Sequence, residues 1–126
     1  MPKKILIIDD DPIVLKYLEN LFTDNGYEVY KAANGVEGSR MVEKVQPDLI
    51  TLDLEMPEQW GPRFYRRLMK NKNLKDIPVI VISGLTGSQY SLPKAVAHVS
   101  KPFDPDHLLG LVREHIGSTA LDPASV

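Results

Sequence analysis

The chain has 126 residues, of which 43% are hydrophobic and 25% charged, and its formal net charge is -2. That length supports one domain with a real core, the composition excludes disorder, and the charge gives no electrostatic case for direct nucleic-acid binding. There is no cysteine, which excludes disulfides and thiolate metal sites, and the N-terminal apolar run Ile5–Ile8 is too short for a signal peptide or a membrane span; a soluble, cytoplasmic protein without membrane insertion is expected.

In chain order, Ile5-Leu6-Ile7-Ile8 is a β-branched apolar run that reads as the first strand. Asp9-Asp10-Asp11-Pro12 ends it, with Asp11 as N-cap and Pro12 as first residue of a helix. Ile13, Val14, Tyr17, Leu18, Leu21 and Phe22 recur at helical spacing and are assigned to the core. Asn25-Gly26 closes this helix, Gly26 in a left-handed conformation. Tyr27 to Tyr30 reads as the second strand. Val36 to Val45 is a softer second helix, since Gly38 and Ser39 are poor helix formers; its apolar stripe is Val36, Met41, Val42 and Val45. Asp48 to Leu52, bounded by Pro47 and Pro57, reads as a third strand buried on both faces.

Glu58-Gln59-Trp60-Gly61-Pro62 is a loop with turn residues, and Pro62 begins a third helix carrying Phe64, Tyr65, Leu68 and Met69. Pro78 to Ile82 is the fourth strand, and Ser83-Gly84 end it. Leu85 to Ala95 is interrupted by Gly87, Ser88, Ser91 and Pro93, so at most a short helix fits. Val96 to Val99 is the fifth strand. Asp104-Pro105 caps a last helix with Leu108, Leu111, Val112 and Ile116 inward, stopped by Gly117. Residues 1–117 form one domain, and 118–126 read as a frayed tail or linker remnant.

Strands alternating with helices imply a parallel sheet with right-handed crossovers and helices on both faces. All strands then end on one side, where ligands collect in open α/β sheets. Asp9, Asp10, Asp53, Ser83 and Lys101 each stand at such an end. Clustered carboxylates repel one another unless a cation relieves them, and an oxygen-only set suits a hard ion such as Mg²⁺. An aspartate beside such an ion can act as a nucleophile toward phosphorus. Lys101 offers a positive charge and Ser83 a hydroxyl donor.

With Asp9-Asp10-Asp11-Pro12, Asp53-Leu54-Glu55-Met56-Pro57, Ser83-Gly84 and Lys101-Pro102-Phe103 in this order, the chain resembles a response-regulator receiver domain of two-component signalling from Lys3 to about Ile116. The resemblance implies a (βα)5 doubly wound, five-stranded parallel sheet of flavodoxin-like order 2-1-3-4-5. It implies that Asp53 is the phosphoacceptor and that Asp10 is a direct Mg²⁺ ligand, with Asp9 acting largely through water. Asp53 and the backbone carbonyl of Glu55 complete the metal set. Ser83 is the switch hydroxyl, Lys101 the ion-pair partner, and Lys101–Pro102 a cis candidate. The implied partners are a histidine kinase or histidine phosphotransfer protein and a downstream protein effector. The implied role is a switch with Mg²⁺-dependent phosphorylation and dephosphorylation chemistry, not a turnover enzyme.

The chain departs from the family pattern at four places. Gln59-Trp60-Gly61 replaces the usual Met-Asp-Gly, so an exposed Trp60 is either a partner contact or lid, or loop packing. Ser83 to Lys101 is shorter than usual by about one helical turn, so the fourth helix of the family pattern is shortened or irregular. His98 stands where a switch aromatic is usual, and a half-exposed strand histidine without a switch role is the plainer reading. Glu55 directs a carboxylate toward the site. The alternatives are a phosphorylation-independent receiver-like interaction module and an enzyme on the same sheet. An aspartate-nucleophile phosphatase would want a second aspartate where Glu55 stands, and Asp9-Asp10-Asp11 would repel a nucleotide phosphate. The basic third helix, Arg63 to Lys75, reads as a solvated face.

Overall fold

A computed structural model describes residues 2–84, 92 and 94–117. Strands β1 (Lys4–Ile8), β2 (Glu28–Ala32), β3 (Leu49–Asp53), β4 (Val79–Ser83) and β5 (Ala97–Ser100) form one sheet in the order β2-β1-β3-β4-β5. All four pairings are parallel. The helices among the described residues are α1 (Pro12–Asp24), α2 (Gly35–Val45), α3 (Trp60–Met69) and α4 (Pro105–Ile116). This is the doubly wound order that the resemblance implied. The shortened helix expected between the fourth and fifth strands falls on residues 85–91 and 93, outside the described residues, as does the tail at 118–126.

Period-two alternation divides the strands between two cores. Leu6, Ile8, Ile50, Leu52, Val79 and Val81 pack with Val42 of α2 and Phe64 and Leu68 of α3. Ile5, Ile7, Leu49, Ile80 and Ile82 pack on the other face with Leu18 and Phe22 of α1 and Leu108 and Val112 of α4. Each such side chain taken out of water contributes about 1.5–3 kcal/mol, so the strands anchored between two layers are the most firmly fixed elements.

Helix ends follow their local chemistry. Asp11 accepts the Ile13 N–H at 2.8 Å, and Pro12 follows where its missing N–H costs nothing. At the other end the Gly26 N–H reaches Thr23 O and the Tyr27 N–H reaches Phe22 O, with Gly26 at φ 89°. The Tyr27 and Phe22 rings meet edge to face, which completes this termination with an apolar contact. Asn34 accepts the Glu37 N–H, and the Glu37 carboxylate accepts the Ala33 N–H, a reciprocal cap at the start of α2.

The apolar stripe of α1 is not all core: Ile13 is 78% exposed and Tyr17 45%. The two are four residues apart and so share one flank of the stripe, while Val14 and Leu15 beside them pack against the core; Tyr17 meets Phe103 edge to face. Val36 is exposed at the start of α2. On α4, Leu109 is buried with Leu108 and Val112, whereas Leu111 and Ile116 are half-buried. Pro62 is the third residue of α3, not the first; a 3₁₀ turn at Pro57–Gln59 leads into the helix at Trp60. Proline is tolerated there because first-turn N–H groups have no intrahelical partner. Trp60 is a half-buried helical residue, and its ring lies over Gly35. A Cβ at Gly35 would stand 2.3 Å from the Trp60 ring, so only glycine admits it. The ring packs there with the Arg63 guanidinium 4.8 Å from its centroid. His98 is exposed on β5, in register with Val81.

Candidate functional site

Four strands deliver the polar residues. β1 runs apolar to Ile8 and passes directly into Asp9, which is 2% exposed; its Oδ1 accepts the Asp11 N–H at 2.9 Å, so Asp9 and the cap of α1 are fixed together. β3 ends on Asp53, 3% exposed, whose Oδ1 accepts the Glu55 N–H at 3.0 Å. After β5, the Lys101 N–H bonds to Ser83 O at 2.9 Å, which fixes that residue against the end of β4. Its Nζ lies 3.3 Å from Asp9 Oδ2 and 3.4 Å from Asp53 Oδ1. The Lys101–Pro102 peptide is cis, as the resemblance implied.

Carboxylate oxygens of Asp9, Asp10 and Asp53 all lie within 4.8 Å of one another, Asp10 being the exposed member. One lysine faces them. Burial raises the Asp53 carboxyl to about 6, the Asp9 charge adds to the rise, and the Glu55 N–H and Lys101 oppose it. Asp9 is also raised, chiefly by burial, against the Asp11 N–H and Lys101. Burial pulls Lys101 down, but the Asp53 and Asp9 charges outweigh it and leave the ammonium raised. Three carboxylates facing one lysine leave the cluster short of positive charge, and burial holds Asp9 and Asp53 above their ordinary range. An all-carboxylate donor set with that shortage fits a hard divalent cation. Near neutral pH Asp53 is largely ionised.

Ser83 ends β4 and donates its hydroxyl to Glu55 Oε1 at 3.1 Å. The same carboxylate oxygen receives the Gly84 N–H. The sequence placed Glu55 near the site but gave no sign of this link to β4. Gly61 was also read only as a turn residue. A Cβ there would fall 2.7 Å from Asp53 O and 2.8 Å from Leu54 Cα, so the first turn of α3 sits directly on the backbone of the site. A glycine between Trp60 and Pro62 was the available signal, but close backbone approach is one of several uses of glycine.

The response regulator receiver domain model matches residues 5–113. Protein Rrf1 of Nitratidesulfovibrio vulgaris is 38% identical over 120 residues, covering 95% of this chain and 87% of that protein. Sporulation initiation phosphotransferase F of Bacillus subtilis is 32% identical, covering 92% and 95% respectively. Among solved structures, the receiver domain of a sensor histidine kinase from Pseudomonas aeruginosa PAO1 superposes with a TM-score of 0.84 at 25% identity, over 94% of this chain and all of that one. That structure has a magnesium ion coordinated in its active-site cleft.

Proposed function

Because the chain belongs to the response regulator receiver domain family, we propose that Asp53 is the carboxylate that accepts its phosphoryl group. The protein is a phosphorylatable switch of two-component signalling, not a turnover enzyme, and its partners include a histidine kinase or phosphotransfer protein. The observation that carries Asp53 is its position. It is buried at a strand end, beside two further carboxylates and within 3.4 Å of the Lys101 ammonium.

In the proposed reaction an ionised Asp53 oxygen attacks the phosphorus of a donor phosphohistidine. The oxygen–phosphorus bond forms as the nitrogen–phosphorus bond breaks, and that electron pair stays on the departing imidazole nitrogen. Positioning and charge neutralisation supply most of the catalysis in such transfers. Asp9, Asp10, Asp53 and the backbone carbonyl of Glu55 would hold Mg²⁺, which when bound supplies the positive charge the carboxylates lack. Lys101, already anchored by Asp9, stabilises negative charge on the transferring group. The Ser83 hydroxyl then donates to the phosphoryl oxygen, and the population shifts toward a conformer read by a protein effector. Water attack on phosphorus reverses the modification and returns phosphate.

Incubation with acetyl phosphate and Mg²⁺, followed by intact mass, tests this reading. A phosphoryl adduct that disappears with chelator and in Asp53→Asn supports it. An adduct that persists in Asp53→Asn, or none in the wild type, counts against it.

A further inference from the structure

Glu55 stands two residues past Asp53 and is exposed, yet its carboxylate stays out of the cluster made by Asp9, Asp10 and Asp53. It crosses to the end of β4, where the Ser83 hydroxyl and the Gly84 N–H converge on one of its oxygens. An O–H and a backbone N–H aimed at one anion are the kind of donors a phosphoryl oxygen uses. Each has a single hydrogen to give. While Glu55 holds them, they are engaged by an anion already resident in the protein.

The residue after Ser83 permits this. A Cβ at Gly84 would lie 2.9 Å from Glu55 Oε1 and 3.3 Å from Oε2, so a side chain there makes the carboxylate shift and crowds its approach to the amide. Glycine at 84 and glutamate at 55 are thus two halves of one contact, joining the β3 and β4 ends beside the acceptor.

We propose that Glu55 is a positioning residue: its carboxylate occupies the Ser83 hydroxyl and the Gly84 amide in the resting protein, and a phosphoryl group on Asp53 takes these donors by displacing it. The inference rests on Asp53 being the acceptor. Its consequence is that this chain resists activation. The phosphorylated conformer forms only after two hydrogen bonds to a charged group have been exchanged.

Titration of the full chain with beryllofluoride and Mg²⁺, a non-covalent phosphoryl mimic, followed at the residue 84 amide resonance, tests this. Glu55→Asp keeps the charge and shortens the reach, Gly84→Ala keeps the charge and crowds the contact, and Glu55→Gln keeps an acceptor without the charge. The expected result is that Glu55→Asp shifts the free-state resonance toward weaker hydrogen bonding, and that Glu55→Asp and Gly84→Ala lower the Kd of the mimic about tenfold, with Glu55→Gln lowering it less. A lowered Kd in Glu55→Gln alone would assign the effect to charge and overturn the proposal, as would equal Kd values throughout. A wild type that neither binds the mimic nor accepts a phosphoryl group from acetyl phosphate overturns the Asp53 reading and the displacement together.

Discussion

Replacing Asp53 by Asn should stabilise the Mg²⁺-free protein at pH 8. Asp53 is almost fully buried, and burial with the Asp9 charge lifts its carboxyl from 3.8 to about 6, against the Glu55 N–H and Lys101. At about 1.36 kcal/mol per pH unit, keeping this group ionised costs the fold up to about 3 kcal/mol. Because the native pKa is raised, the folded state binds more protons than the unfolded state between roughly pH 4 and 6. Wild-type stability attributable to Asp53 is therefore present at low pH and lost as the pH rises through that window. Asn carries no charge and keeps an oxygen for the Glu55 N–H, although Lys101 then pairs with Asp9 alone. The net expectation is a gain of about 1–3 kcal/mol at pH 8 that shrinks toward zero near pH 4. Urea unfolding of both proteins in chelator at the two pH values measures it, and the difference between them largely cancels groups common to both. An Asp53→Asn protein no more stable than wild type at pH 8, or a gain independent of pH, refutes the claim that the site is short of positive charge.

Three further outcomes follow from the packing. Lys101→Met should lower stability by about 1–3 kcal/mol at pH 8, below the range for fully buried pairs because the lysine side chain is 25% exposed. Thermal melts should show the loss shrinking in acid as Asp9 and Asp53 take up protons. Gly61→Ala forces a Cβ against the backbone of Asp53 and Leu54, so it should cost about 3 kcal/mol, the upper end of ordinary overpacking; a melt unchanged from wild type would mean that α3 is free to move away. Ile13→Ser should change stability by less than about 0.5 kcal/mol, whereas Leu18→Ala should cost about 2–5 kcal/mol, and equal costs in denaturant melts would contradict the assigned burial of α1.

The sheet was legible because its inner strands are short apolar runs that stop at a charged or polar residue: Ile8 before Asp9, Leu52 before Asp53, Ile82 before Ser83. That pattern also put Asp9, Asp53 and Ser83 at one edge, since parallel strands must all end on one side. The residues that escaped reading depend on tertiary placement. Ile13 and Tyr17 keep the helical apolar period but lie on the flank of α1 that faces solvent. Trp60 was assigned to a loop because Gly61-Pro62 reads as a turn, whereas the helix begins two residues before the proline. The Glu55 contact with Ser83 and Gly84 joins residues 28 and 29 positions apart through the relative placement of two strand ends, which no local pattern encodes.

In the proposed switch Asp53, and neither neighbouring carboxylate, carries the phosphoryl group. Borohydride reduction of the acetyl phosphate-treated protein converts an aspartyl phosphate to homoserine, and peptide mass spectrometry then locates it. The expected result is homoserine at position 53 alone, formed only when Mg²⁺ is present. Homoserine at position 9 or 10, or its absence from a protein that gains a phosphoryl mass, would contradict the assignment.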